Sequence, residues 1–395
     1  MKVLMISRAM VAASQRARLR ELARLGVRLT VVAPHRWEYQ NFEAESCEEY
    51  ELMKGRVRLG STRLGSLSNH TFYYQGIAKV IRREPWDLIH IEEEPFNFAS
   101  YHAAGLVQSA AVPVVFSTWQ NLMKRYPPPF LQFEKYMFRR AAGAVPGNAE
   151  AREVLRLRGF LKPTAVIPLA SVDPDLYRRQ EAGRFRRELG LGKSFVVGFL
   201  GRITREKGVE TLVKALGMLP ENCILVLAGS GPFESELQGL VQNLDLERRV
   251  RRIAWMKSGD VSEYLNSIDV LVLPSLTCRN WKEQFGRVLI EAMSCETCVV
   301  GSDSGEIPNV IGDAGLIFHE RDERELAGRL RRLMEDSMFR ELLGRRGRER
   351  VLEHFTHARI AVKTLSFYSR ILNGNNAEVP EAAGDLVGAP QSKPD

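Results

Sequence analysis

The feature that most constrains this chain is a repeating alternation. A short aliphatic run is followed by an amphipathic helical pattern and then by another aliphatic run, along most of 395 residues. KVLMIS leads into SQRARLRELARLG and then VRLTVVAP, a strand, helix, strand unit with a Gly at the helix end. The pattern continues through QGIAKVIRREP, DLIHIEEEP, NFASYHAAGLVQSA and PVVFSTWQN. AGAVPGN and TAVIPLA read as further short strands, separated by AEAREVLRLRG. Strands joined by helical crossovers predict a doubly wound parallel sheet.

The alternation breaks at the polar stretch ASVDPDLYRRQEAGRFRRELGLG and restarts at SFVVGFLG. It then runs through VETLVKALGML, CILVLAGS, ESELQGLVQNL, VRRIAW, VSEYLNSI, DVLVLPS, CVVGS and AGLIF before a helical end region. The expected organisation is α/β with two Rossmann-like domains, residues 1–172 and 173–357. A last helix, 358–372, is expected to pack back on the first domain. Residues 373–395, poor in large apolar side chains, are expected to form a disordered tail.

Composition narrows the class. A chain this long with 45% hydrophobic residues can bury two cores. The N-terminus enters a strand pattern and then Arg16, Arg18 and Arg20 without an apolar leader, and no run reaches the roughly 18 apolar residues of a spanning helix. A cytoplasmic protein is expected. Five scattered cysteines do not suggest a disulfide framework, and Cys295 and Cys298, spaced C-x-x-C, have no second pair for zinc. The net charge of +8 suits phosphate-bearing partners. No zinc-finger, helix-turn-helix or aromatic RNP pattern points to nucleic acid.

In open parallel sheets ligands bind beyond the carboxyl ends of strands, so the loops of the second half are where chemistry is expected. In GFLGRITREKGVETL, Gly201 ends a strand, Arg202 and Lys207 follow, and a helix begins near Val209. Two cations beside a helix N-terminus make a diphosphate site. LVLAGSGPFESEL carries Gly229 in a strand-to-helix turn, without the third glycine of a dinucleotide fingerprint, and no P-loop is present. In KEQFGRVLIEAM, Glu283 and the Phe285-Gly286 pair open a helix and Glu291 closes its second turn, so both acids can accept from ligand hydroxyls. Asp173-Pro174-Asp175 has the D-x-D spacing of some metal-using transferases but sits in the linker, where it reads as a turn.

The ordered set GRITREKG, LAGSGP, VLVLPS, EQFGRVLIEAM and SGEIP resembles the retaining nucleotide-sugar glycosyltransferases of GT-B fold grouped as family 4. The resemblance reaches about Leu372. It implies two sheets facing across a cleft and a hexosyltransferase that moves a sugar to a saccharide or lipid-linked hydroxyl in polysaccharide, glycolipid or envelope glycan synthesis. Arg202 and Lys207 would hold the donor diphosphate, so no metal cofactor is implied. Glu283 would bind sugar hydroxyls, Glu291 the ribose, and the backbone at Phe285 and Gly286 the sugar and phosphate. Catalysis would fall to Glu283, Arg202 and Lys207.

The first half departs from the family pattern. Many relatives carry glycines in the loop that here reads Arg8-Ala9-Met10-Val11-Ala12-Ala13-Ser14, and Trp119 or Gln120 stands where a His is common. His90, Glu92, Glu93, Trp119 and Gln120 are the candidate acceptor groups. Glu94 completes the acidic run, and a peripheral contact with the inner membrane face is open through Tyr126 to Phe138. Two other readings share the architecture: a nucleotide-sugar epimerase, and a glycosyltransferase-like binding subunit without catalysis.

Overall fold

A computed structural model describes residues 1–37, 40–41, 48–58, 70–107, 111–168, 170–181, 183–254 and 256–374. The expected tail lies almost wholly outside these. The first sheet has seven strands in the order Tyr73–Gln75, Glu51–Arg58, Arg28–Pro34, Lys2–Ile6, Leu88–Ile91, Val114–Thr118, Gly143–Pro146. All neighbours are parallel except the antiparallel edge pair Glu51–Arg58 and Tyr73–Gln75. The second has six parallel strands in the order Val250–Ile253, Cys223–Ala228, Phe195–Leu200, Val270–Leu273, Cys298–Ser302, Leu316–Phe318.

Alternation along each strand explains why both faces are covered. Val197 and Phe199 point into one core with Leu225, Leu227 and the Val209–Gly217 helix. Val196, the residue before Val197, joins Val226, Leu271 and the Arg287–Ser294 helix on the other face. The first sheet is covered in the same way, and the His357–Leu372 helix supplies Ile360, Ala361, Phe367 and Tyr368 to one of its two cores. Burying each of the Val, Leu, Ile and Phe side chains contributes about 1.5–3 kcal/mol. The chain passes between the two sheets twice at one place, where Val172 bridges Thr356 and its N–H donates to the Phe355 carbonyl at 3.0 Å.

The structure corrects several expected elements. TAVIPLA is not a full strand: it forms an isolated bridge, Thr164 with Ala144, and its Ala165 and Ile167 N–H groups donate to the Ala144 and Pro146 carbonyls at 3.2 and 3.0 Å, but Pro146 has no N–H to return a bond. The strands Glu51–Arg58 and Tyr73–Gln75 were not foreseen. ELMKGRVR reads as polar because it lies next to the sheet edge, with Glu51, Lys54 and Arg56 exposed. The linker contains a short helix, Arg184–Glu188. Asp173 Oδ1 accepts from the Asp175 and Leu176 amides at 2.9 and 3.3 Å, so the D-x-D is a turn. Cys295 and Cys298 are free thiols packed in opposite cores of the second sheet.

Candidate active site

Three loops at the carboxyl ends of adjacent strands in the second sheet touch backbone to backbone. Gly208 has φ +66°, and a Cβ there would lie 1.8 Å from the Pro274 carbonyl oxygen. Gly229 has φ +125° and meets the Gly201 carbonyl oxygen as closely, at 2.0 Å. The Ile203 N–H donates to Ser230 O at 3.0 Å, and the Leu276 N–H to Glu206 O at 2.8 Å. Glycine is required here because only a backbone without Cβ reaches these conformations at this spacing.

This packing brings sequence-distant groups together. Lys207 Nζ lies 2.6 Å from Glu283 Oε2 and 4.9 Å from the Trp281 ring centroid. Ser275 Oγ donates to the same oxygen at 2.8 Å, leaving Oε1 without a protein partner among the described residues. Glu283 is only 7% exposed, so its charge is held by a fixed cation and a fixed hydroxyl. Arg202 is exposed and its guanidinium makes no hydrogen bond or ion pair among the described residues.

The helix does not begin where the sequence suggested. Glu283 lies in the loop before it, Gly286 at φ +82° turns the chain, and the helix is Arg287–Ser294. Glu291 therefore sits one turn in, not two. It is 8% exposed, 2.9 Å from Arg287 Nε and hydrogen-bonded by Tyr177. Burial raises its pKa, while Arg287 and Tyr177 pull the other way. The Phe285 ring packs edge-on against Phe355, at 5.7 Å between centroids, so what Phe285 can offer a ligand is backbone.

The candidate groups of the first half divide. His90 is a correction: it is 1% exposed, with Nδ1 2.6 Å from Tyr368 Oη and Nε2 2.9 Å from Ser117 Oγ. Both nitrogens are engaged and burial lowers its pKa to about 4, so it is a neutral brace to the last helix. Glu92 binds Arg18 through both oxygens at 2.6 Å. Glu93 meets the Arg8 amide at 2.8 Å, Arg8 Nε at 3.3 Å and Tyr74 Oη at 3.2 Å, and burial pushes its pKa up to about 7.

Glu94 is turned inward, accepting from Thr118 Oγ1 and the Trp119 amide at 2.6 and 2.8 Å. Arg8, Arg18, Glu92, Glu93 and Trp119 line one pocket. Gln120 lies beside it and donates to Tyr126 Oη at 3.0 Å. The loop that lacks glycines is wound into two short 3₁₀ turns and braced by Arg16. That side chain is wholly buried, with Nε and a terminal nitrogen each donating at 2.8 Å to the Met10 and Val11 carbonyls.

Ser275, Tyr177, Arg287, Asn121 and Asn148 were missed. Asn148 left a local signal as a polar residue before a helical pattern, and Arg287 one as the residue four before Glu291 on the same helix; Ser275 comes from the fold-back of its own loop, and Tyr177 and Asn121 reach the site by tertiary contact. Among the described residues no cluster of His, Cys, Asp and Glu is placed to hold a metal ion, and no helix is long and apolar enough to cross a membrane.

Two parallel-sheet Rossmann-like units with their loops meeting at the strand ends make the GT-B fold, and comparison with known proteins gives the family. Residues 11–170 match the glycosyl transferase 4-like domain and residues 182–350 the glycosyl transferases group 1. The chain belongs to the group 1 glycosyl transferases, family 4. It is 35% identical over 240 residues to the alpha-maltose-1-phosphate synthase of Mycolicibacterium smegmatis, covering 55% of this chain and 60% of that one. It is 30% identical over 206 residues to the N-acetyl-alpha-D-glucosaminyl L-malate synthase of Bacillus anthracis, covering 51% and 52%. The matches thus span about half to two thirds of these relatives. In fold it is similar to the sucrose-phosphate synthase of Thermosynechococcus elongatus (TM-score 0.73, 21% identity, 94% and 99% covered). It is also similar to Anabaena HepE solved with UDP and glucose (TM-score 0.69, 20% identity, 93% and 99% covered).

Proposed function

We propose that this chain transfers a sugar, with retention at the anomeric carbon, from a nucleotide-diphosphate donor to a hydroxyl of a saccharide or lipid-linked acceptor in glycan synthesis. Residues 173–357 take the donor and residues 1–172 the acceptor. The observation that carries the reading is the Lys207–Glu283–Ser275 cluster at the strand ends, with Arg202 exposed on the same loop as Lys207.

In this reading Lys207 and Arg202 face the diphosphate and stabilise the charge that gathers on it as the glycosidic bond to phosphate breaks. These two cations take the place of a metal. Glu283 accepts from sugar hydroxyls through Oε1, and Glu291 from the ribose. The acceptor oxygen bonds to the anomeric carbon from the side the phosphate leaves, and its proton passes to the departing phosphate oxygen. The Glu93 and Trp119 pocket orients the acceptor.

The test is nucleotide release from a panel of UDP-, GDP-, ADP- and TDP-sugars with and without saccharide acceptors. Acceptor-dependent release, lost in Glu283→Ala and reduced in Arg202→Ala, is the expected result. Sugar interconversion without release would instead make the chain an epimerase.

A further inference from the structure

The Glu283 segment is gripped from the opposite half of the molecule. Asn148 begins the Ala149–Leu157 helix and is wholly buried. Its Oδ1 accepts the Ala151 N–H at 2.7 Å, which caps the helix, and its Nδ2 donates to the Gln284 carbonyl at 2.7 Å. Ser and Asp cap helices as well as Asn does, but their caps carry no amide donor. Asn is the residue that caps its own helix and also holds a carbonyl of the other half.

Neighbouring contacts converge on the same place. Asn121 Nδ2 donates to the Glu283 carbonyl at 3.3 Å and to Glu150 Oε2 at 3.2 Å. Glu150 pairs with Lys282. Gln284 Nε2 donates back to the Trp119 carbonyl at 2.9 Å, and the Glu306 carboxylate accepts from the Ala149 N–H. From its own side, the Glu283 carbonyl accepts the Glu306 N–H at 3.2 Å. Residues 282–284 are thus held between Asn121 and Asn148 on one side and Gly305-Glu306 on the other, while the Glu283 side chain reaches Lys207.

We infer that Asn148, assisted by Asn121, is a positioning residue: its amide fixes the Gln284–Phe285 peptide and that of Asn121 the Glu283–Gln284 peptide, so the donor carboxylate is correctly aimed only when the two halves are closed on each other. Nucleotide binding rests on Arg202, Lys207 and Glu291, to none of which Asn121 or Asn148 bonds directly. Turnover therefore depends on Asn148 and nucleotide affinity does not. The effect on turnover rests on the glycosyltransferase reading; the grip itself does not.

The experiment compares the full-length protein with Asn148→Asp and Asn148→Ser, both of which keep a cap acceptor and lose the amide donor. Amide hydrogen exchange of residues 282–288 is followed without ligand. UDP, GDP and ADP binding and acceptor-dependent turnover are measured in parallel. We expect faster exchange in that segment with the Ala149–Leu157 helix still protected, kcat lower by about 10- to 100-fold, and nucleotide affinity within about 3-fold.

Unchanged exchange at 282–288 in both variants overturns the grip. Faster exchange with unchanged kcat overturns its catalytic role, as does a loss of nucleotide affinity that accounts for the whole loss of rate. If the unaltered protein turns over no donor, the glycosyltransferase reading fails by itself, and the exchange measurement still decides the grip.

Discussion

At the scale of residues, Glu283 was legible because an acid beside Phe-Gly and an apolar run is hard to explain as a surface charge. Its partners were not legible: Ser275 lies eight residues upstream in the same strand-to-helix loop, which must fold back to bring the two together, and Lys207 lies 76 residues away. Glu283→Gln keeps the shape and removes the charge. We expect kcat to fall by about 10²-fold or more with nucleotide affinity nearly unchanged, checked by steady-state kinetics and titration calorimetry. Glu93 offers a test in pH. Its folded pKa near 7 is above the ordinary 4.5, so between these values the folded chain keeps a proton that the unfolded chain has lost. Stability contributed by this group is present below pH 4.5, declines as pH rises, and is gone above pH 7. Arg8, Tyr74 and Glu92 are the charged and titratable groups acting on it. Glu93→Gln resembles the protonated form, so it should match the parent in acid and exceed it by up to about 3 kcal/mol at pH 8. Urea midpoints of the two at pH 4.5 and 8 check this, and a difference independent of pH would refute it.

At the scale of elements, what the loop glycines approach could be read only from the fold. The space beside Gly208, where a Cβ would stand, is taken by the Pro274 carbonyl. The glycine serves loop-to-loop packing, and the ligand site is what that packing leaves outside it. Gly208→Ala should destabilise by about 3 kcal/mol or more, since it adds left-handed strain to a backbone clash. Gly239→Ala, inside the Glu234–Asn243 helix with nothing within 4 Å of the new Cβ, should stabilise by about 0.5–1 kcal/mol. Chemical denaturation of the pair separates glycine required by contact from glycine merely tolerated. The shift of the helix start from Glu283 to Arg287 has a similar cause. Local pattern put an apolar face over 285–293, but Gly286 in the left-handed region turns the chain, and the first helical residue follows it.

At the scale of the molecule, the two halves are tied by a double chain crossing and by the His357–Leu372 helix returning to the first sheet. Tyr368 in that helix donates to or accepts from His90 at 2.6 Å in a fully buried pair. Tyr368→Phe leaves the His90 nitrogen unpaired, and we expect a loss of about 1–3 kcal/mol in urea unfolding with no change in nucleotide affinity. Hydrophobic period and glycine placement act over a few residues, so the two sheets, the break between them and the motif that carries Glu283 and Glu291 could be read from the chain itself. The sequence alone did not determine that His90 would become a brace. Nor did it show that Glu92 and Glu93 would face Arg18 and Arg8, or that Asn148 would hold a carbonyl 136 residues away. Those outcomes depend on which strand ends meet across the molecule, and a buried polar group takes its role from the partner that satisfies it. Only the tertiary structure supplies that partner.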